Sequence, residues 1–165
     1  MNCLIFFVLK VKDWVTLANA GSGALAILLA LRGSEYWVCA FLVGLAAVFD
    51  VFDGRIARKT GSVNEFGKAL DSLSDAVSFG VAPVVLVNYW AGADALLILA
   101  SAFFVCSAVL HLAKYDVQKD KHYYGLPTPV AALTLIILVP FTGNEYALVA
   151  VLAFAMNLPF RIRRR

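Results

Sequence analysis

The sequence predicts an all-α membrane protein in which one domain, residues 1–165, carries six transmembrane helices. Of the 165 residues, 62% are hydrophobic and only 15% are charged, whereas about 25% of the residues in a soluble domain are charged. The mean hydropathy is +0.82. At about 20 residues per span, the chain has room for six crossings, and the distribution of lysine and arginine supports the same number.

Charge-poor apolar runs separated by polar segments define the predicted helices. The second helix must continue into an acidic segment, and the third must begin within it, because the apolar runs alone are too short to cross a bilayer. A seven-residue apolar stretch, Cys3–Leu9, precedes the first basic residues and lacks the features of a signal peptide, so an interfacial helix is expected there. The six transmembrane helices are expected at 14–32, 35–58, 65–91, 93–114, 126–142 and 145–160.

Basic residues collect on one side of this arrangement, which holds both termini, the 2–3 loop and the 4–5 loop. The other side holds Arg32 alone. By the positive-inside rule the basic side is cytoplasmic, and such a rim attracts anionic headgroups and phosphates. The basic residues are spread along the membrane without a binding module, which argues against nucleic acid as a partner. They are Lys10, Lys12, Arg55, Arg58, Lys59, Lys68, Lys114, Lys119, Lys121, Arg161, Arg163, Arg164 and Arg165.

The cysteines and histidines do not suggest a metal centre or a disulfide. Cys3, Cys39 and Cys106 share no metal-like spacing. We interpret them as small apolar residues of helices. His111 and His122 are not paired with each other, and a structural or interfacial role is expected for both.

Four aspartates lie where the second and third helices meet the predicted cytoplasmic side. Asp50 and Asp53 are three residues apart, and Asp71 and Asp75 are four apart, so each pair shares one helical face. A polar turn at 59–65 lets the two helices pack antiparallel and brings the carboxylates together. Such a cluster favours Mg²⁺ or Mn²⁺, and four carboxylates suffice for two ions. Two ions can clamp the attacking and leaving oxygens of a phosphoryl transfer.

Small residues stand in phase with these acids. Gly54 and Ala57 continue the stripe of the first pair, and Gly67 lies one turn before the second. They leave room for a flat or bulky ligand against the backbone, and Arg58 can pair with phosphate. Helix packing explains small residues by themselves. It does not explain four acids in phase with them, since carboxylates at membrane depth are costly.

The string Asp50-x2-Asp53-Gly54-x2-Ala57-Arg58-x8-Gly67-x3-Asp71-x3-Asp75 resembles the motif of the CDP-alcohol phosphatidyltransferases at every specified position. The resemblance implies a six-helix membrane enzyme, usually a homodimer, with its site open to the cytoplasmic leaflet. In that family an alcohol attacks the β-phosphate of a CDP-linked lipid and CMP leaves. By the same resemblance the four aspartates bind metal, Asp75 is also the general base, and Gly54, Ala57, Arg58 and Gly67 line the CDP site.

Two further stretches resemble the phosphatidylserine synthase branch of that family. The first is 16–23, and the second is Leu112-Ala-Lys114-Tyr-Asp116 followed by 124–132, which begins Tyr124-Gly125-Leu-Pro127-Thr128-Pro129. That branch usually has Arg and Asn where this chain has Lys114 and Asp116. The resemblance implies CDP-diacylglycerol, or its ether-lipid analogue, as the donor and L-serine as the acceptor.

Three residues in these stretches are candidates for binding the acceptor, and each has a simpler alternative. Asn19 is either a ligand or a helix–helix hydrogen-bonding residue. Lys114 can attract the serine carboxylate or serve as a positive-inside anchor. Thr128 can donate to a small polar acceptor or belong to a turn that starts the fifth helix.

Two alternative functions stay open. Inositol phosphate or glycerol 3-phosphate can replace serine, since Lys114, Lys119 and Lys121 supply a basic loop. A cation transporter would use the aspartates as a pathway. A transporter needs acids spread across the membrane depth. Here the four motif aspartates lie at one side, and Asp94 and Glu145 lie near the opposite surface, which disfavours transport.

Overall fold

The computed structural model describes residues 10–60, 64–117, 122–158 and 161–163. Its elements are, in chain order, α1 (Val11–Leu31), α2 (Tyr36–Thr60), α3 (Glu65–Asp75), a π-helical segment (Ala76–Val81), α4 (Ala82–Ala91), α5 (Ala95–Val117), β1 (His122–Tyr124), α6 (Thr128–Leu138), a 3₁₀ turn (Val139–Phe141), α7 (Glu145–Asn157) and β2 (Arg161–Arg163). Each of the six predicted transmembrane helices has a helical counterpart, so the helical class is confirmed. The interfacial helix expected at Cys3–Leu9 lies outside the described residues.

Among the described residues, four helices have the length and composition needed to cross a membrane, and they indicate an integral membrane protein. They span Val11–Leu31, Tyr36–Arg58, Glu65–Ala91 and Ala95–Val117. The last two apolar helices, Thr128–Phe141 and Glu145–Asn157, are shorter. The 13 residues of α7 extend about 20 Å, against about 30 Å for the hydrocarbon core. Six spans are therefore not confirmed by helix length.

Two details differ from the sequence-based expectation. The first helix begins at Val11, ahead of the predicted 14, because the Asp13 carboxylate accepts a hydrogen bond from the Lys10 backbone N–H at 2.8 Å and caps the first turn. The structure also has two short strands that the sequence did not predict: β1 and β2 pair antiparallel, with His122 opposite Arg163. Each strand has three residues, too few for an alternating pattern to be recognised in the sequence.

Large apolar side chains both fill the interior and cover the outside. Phe79, Phe104 and Leu135 are completely buried, while Phe41 and Leu99 are 68% and 67% exposed. An exterior of this kind suits contact with lipid tails rather than water. The interior thus fixes the relative positions of the helices that carry the polar site.

The third spanning helix contains the π-helical segment, which starts directly after Asp75. Pro83 follows this segment in the first turn of α4. Proline lacks an N–H, and its ring crowds the carbonyl four residues earlier, here that of Phe79. Widening the helix at Ala76–Val81 relieves this conflict without breaking the span.

The helix α1 crosses the π-helical segment at a close approach. A Cβ at Gly23 would overlap Ser78, so only glycine allows the two backbones this contact. The Ser78 hydroxyl donates to the Asn19 carbonyl at 3.0 Å. The crossing holds the polar face of α1 against the helix that carries Asp75.

Several helix ends lie close together in the structure. They are ends that the pattern of basic residues assigned to the predicted cytoplasmic side. The Ser72 hydroxyl of α3 donates to Asp116 of α5 at 2.7 Å. The Lys114 ammonium of α5 donates to Asn157 at the end of α7, at 3.2 Å. These contacts surround the motif aspartates with the ends of several helices.

Candidate active site

Three of the four motif aspartates form one cluster. One carboxylate oxygen from each of Asp50, Asp53 and Asp71 lies within 4.8 Å of those of the other two. Asp53 is buried, and the Asp71 Oδ1 atom is also buried, without a hydrogen-bond partner among the described residues. Carboxylates this close repel unless a cation neutralises them, and a buried oxygen without a donor suits a metal ligand. The donor set therefore fits a hard divalent cation.

Asp75 stands apart from this three-carboxylate cluster but remains its neighbour. It lies one turn after Asp71, is only 7% exposed, and interacts electrostatically with Asp50 and Asp71. Its Oδ1 accepts a hydrogen bond from the Asn19 side-chain amide at 3.0 Å. The Asn19 side chain is completely buried, so the amide holds one oxygen of Asp75 in a fixed place.

The helix α1 contributes more to the site than the sequence indicated. The Thr16 hydroxyl donates to Asp53 Oδ2 at 2.8 Å and lies 3.1 Å from the Lys12 carbonyl oxygen. Lys12, Thr16, Asn19 and Gly23 follow one another at intervals of four, three and four residues, so they share one face of the helix. This spacing was a detectable signal, and only Asn19 was singled out from it.

Gly54 and Arg58 lie together on α2. A Cβ at Gly54 would meet only the Arg58 guanidinium, at 3.6 Å, which is an ordinary contact. The atoms nearest to that Cβ position all belong to Arg58 of the same helix rather than to a neighbouring one, which weakens the packing explanation. Ala57 is partly buried and Arg58 is exposed, so this face of α2 is open to a ligand.

Gly67 has different surroundings. It is buried at the start of α3, where its N–H donates to the capping Asn64 side chain at 2.8 Å. A Cβ at Gly67 would overlap the Lys12 ammonium. The space beside this glycine is therefore filled by a side chain of α1.

The three acceptor-site candidates are not equivalent. Within the described part of the chain, Asn19 is the candidate that hydrogen-bonds an aspartate. Lys114 is exposed and contacts Asn157. Thr128 is 1% exposed, and its hydroxyl has no hydrogen-bond partner among the described residues.

Comparison with known proteins shows which family most of the chain resembles. A family model described as CDP-alcohol phosphatidyltransferase matches residues 9–161. The chain is 39% identical over 151 residues to a CDP-diacylglycerol–serine O-phosphatidyltransferase of Methanocaldococcus jannaschii, which covers 92% of the chain and 70% of that protein. It is 42% identical over 133 residues to an archaetidylserine synthase of Methanothermobacter thermautotrophicus, covering 77% of the chain and 56% of the relative.

A eukaryotic relative is also similar. The chain is 32% identical over 173 aligned residues to a CDP-diacylglycerol–serine O-phosphatidyltransferase of Saccharomyces cerevisiae, covering 94% of the chain and 60% of that protein. The chain therefore spans between 56% and 70% of the length of these three relatives.

Proposed function

Since the chain belongs to the CDP-alcohol phosphatidyltransferase family, we propose that it transfers a phosphatidyl or archaetidyl group from a CDP-linked lipid to the hydroxyl of L-serine. The relatives named as serine phosphatidyltransferases or archaetidylserine synthase support this acceptor. The observation that carries the proposal is the cluster of Asp50, Asp53 and Asp71, with Asp75 beside it. All four stand at the motif positions of the family.

The aspartates are the proposed ligands of two divalent ions, Mg²⁺ or Mn²⁺. Asp50, Asp53 and Asp71 would hold the ions, with Asp75 as the fourth candidate ligand. When bound, such ions neutralise charge on the diphosphate and on the departing CMP. The Thr16 hydroxyl, 2.8 Å from Asp53, orients that carboxylate from the second layer of the site.

Asp75 is the proposed general base. The serine oxygen forms the new bond to the β-phosphorus, the bond from that phosphorus to the CMP oxygen breaks, and the serine proton passes to Asp75. The Asn19 amide occupies Oδ1 of Asp75, which leaves Oδ2 as the acceptor of the proton. Asn19 is on this account a positioning residue rather than a serine ligand.

The substrate-binding residues remain proposals from the family motif. We assign the CDP end of the donor to Gly54, Ala57, Arg58 and Gly67. For the serine end, the buried Thr128 hydroxyl without a partner suits a hydrogen bond to a small polar acceptor. Lys114 is the proposed partner of the serine carboxylate, and it would have to exchange its contact with Asn157 for the substrate.

We also propose the six-span topology, with the carboxylates at the cytoplasmic face and the protein a homodimer. Helices Thr128–Phe141 and Glu145–Asn157 would be the fifth and sixth spans. Both pack into the interior through completely buried residues such as Leu135 and Val149, which supports placing them within the bundle. Short spans are tolerated where the bilayer thins or flanking residues reach its surface.

The experiment is a CMP-release assay on the purified protein with a panel of alcohols. CDP-diacylglycerol and its ether analogue serve as donors, with Mg²⁺ or Mn²⁺ present. We expect L-serine to be used in strong preference to inositol phosphate and glycerol 3-phosphate. Faster release with inositol phosphate than with serine at equal concentration would overturn the acceptor. Absence of release with every alcohol would overturn the reaction itself.

A further inference from the structure

Lys12 is a cation in an unusual place. Its side chain is 7% exposed, although lysine is rarely buried without a close partner. Its ion-pair partner is Asp13 at 3.6 Å, which is longer than a hydrogen bond. No hydrogen bond from the Lys12 ammonium is made within the described residues. An ammonium has three protons to donate, so this group is poorly satisfied where it stands.

The ammonium lies at the edge of the carboxylate cluster. It fills the space where a Cβ of Gly67 would be, with Lys12 Cε 3.0 Å from that position. It also interacts electrostatically with Asp53 and Asp71. Lys12 thus reaches from α1 to the first turn of α3, which is the end of a helix that favours anions.

This arrangement gives Gly67 a further role beside the one that the motif suggested. The missing side chain at Gly67 leaves space for the Lys12 ammonium, so Gly67 would serve the CDP site through the lysine as well as directly. A Cβ at this position would displace the ammonium and would also lie 2.7 Å from the capping Asn64 Oδ1 atom. From the sequence, Lys12 was assigned to the basic residues of the predicted cytoplasmic side and was not connected with the aspartate motif.

We propose that Lys12 is a further substrate-binding residue, whose ammonium binds a phosphate oxygen of the CDP-linked lipid at the Gly67 edge of the site. The inference rests on the proposed function. Lysine binds phosphate as a point charge, and a ligand anion would accept the hydrogen bond that the Asp13 carboxylate, 3.6 Å away, does not. The serine carboxylate is the competing anion, but Gly67 belongs to the stretch of motif assigned to CDP.

Direct binding separates the two anions without any turnover. The Kd values of cytidine, CMP and CDP are measured on the manganese-loaded protein, its Lys12→Gln variant and a Lys10→Gln control. Lys10 is exposed and two residues away. We expect Lys12→Gln to weaken CDP binding about tenfold or more, since a charge-assisted hydrogen bond is lost. Cytidine binding should not change, and Lys10→Gln should match the wild type.

A second variant guards against a folding defect in the first. Gly67→Ala keeps the lysine charge but displaces the ammonium, so it should also weaken CDP relative to cytidine. Because its Cβ would also lie 2.7 Å from the capping Asn64 Oδ1 atom, a thermal melt is measured for both variants. Combined with Lys12→Gln, it should add little further loss. Wild-type CDP affinity in Lys12→Gln would overturn the inference, as would a raised serine KM with unchanged CDP binding. If the wild type bound neither CDP nor CDP-lipid, the proposed function would fail first.

Discussion

Asp75 differs from the other motif aspartates in what its carboxylate contacts. Asp53 also accepts a hydrogen bond from α1, but it faces Asp50 and Asp71, whereas Asp75 accepts its bond from the buried Asn19 amide beside that cluster. A base needs a fixed orientation, which the Asn19 contact provides, and an oxygen that can take the proton, for which Oδ2 is proposed.

Replacing Asp75 by Asn should therefore separate chemistry from binding. Asp75→Asn removes the proton acceptor, and we expect CMP release to fall on the order of 10²–10⁴-fold while CDP-lipid binding is retained. Rates of CMP release and the Kd for CDP-lipid measure the two effects. Glu145→Gln, in the first turn of α7, is the control. Near-normal release by Asp75→Asn would refute the assignment, and equal loss of binding would make Asp75 chiefly a metal ligand.

Gly54 offers a matched pair of substitutions on α2. A Cβ at Gly54 meets only the Arg58 guanidinium, and a Cβ at Gly44 meets nothing within 4 Å. We expect Gly54→Leu to block CDP-lipid binding and Gly44→Leu to leave it intact, with similar melting temperatures for both. Binding to detergent-solubilised protein and a thermal melt are the measurements. A large loss of stability in Gly54→Leu with binding preserved would instead identify a packing glycine.

At the residue scale, the sequence identified what lies within the motif and missed what approaches it from elsewhere. The aspartate spacing was enough to predict the cluster, because two helices joined by a short turn must pack side by side. Thr16 contacts Asp53 across 37 positions of sequence. That contact depends on how α1 crosses the bundle, and local spacing does not encode it.

The position of the proposed base, Asp75, depends on the contact between α1 and the π-helical segment. Gly23→Leu forces a side chain into Ser78, and overpacking of this kind costs about 1–3 kcal/mol. We expect a lower melting temperature in detergent and reduced CMP release, because Asn19 lies on the same face. Gly21→Leu is the matched control, since a Cβ there meets nothing within 4 Å. Identical melts for the two variants would contradict this account of the crossing.

At the element scale, the ends of the third helix could be predicted from the sequence, but its internal geometry could not. The third helix was expected at 65–91, and the span observed is Glu65–Ala91. Its π-helical segment went unpredicted, because Pro83 in a long apolar run is compatible with a kink, a break or a widened turn. The choice among these is made by packing, including the close approach of Gly23.

The whole molecule has a topology that can be tested by labelling from each side of the membrane. After the native cysteines are replaced, Lys68→Cys and Gly143→Cys are labelled separately with a membrane-impermeant thiol reagent. Three proposed crossings separate these positions, so Lys68→Cys should react only from the cytoplasmic side and Gly143→Cys only from the other. Reaction of both from one side would show that the helix Thr128–Phe141 does not cross.

At the scale of the molecule, composition and the asymmetry of basic residues predicted a helical membrane protein with the acids near one surface. They did not predict the ladder of β1 with β2, because strand pairing between 122–124 and 161–163 arises only once α6 and α7 bring these segments together. They also overlooked Lys12, whose charge was fully explained by topology until its position beside Gly67 was known.

The central claim is that the clustered carboxylates act through divalent cations in a transfer to serine. Its most direct test is incorporation of labelled L-serine into extractable lipid by chelator-stripped protein given CDP-diacylglycerol. We predict no lipid product until Mg²⁺ or Mn²⁺ is restored. Asp71→Asn should stay inactive at metal concentrations that restore the wild type and the Glu145→Gln control. Full incorporation by wild-type protein in the continued presence of chelator would contradict the account.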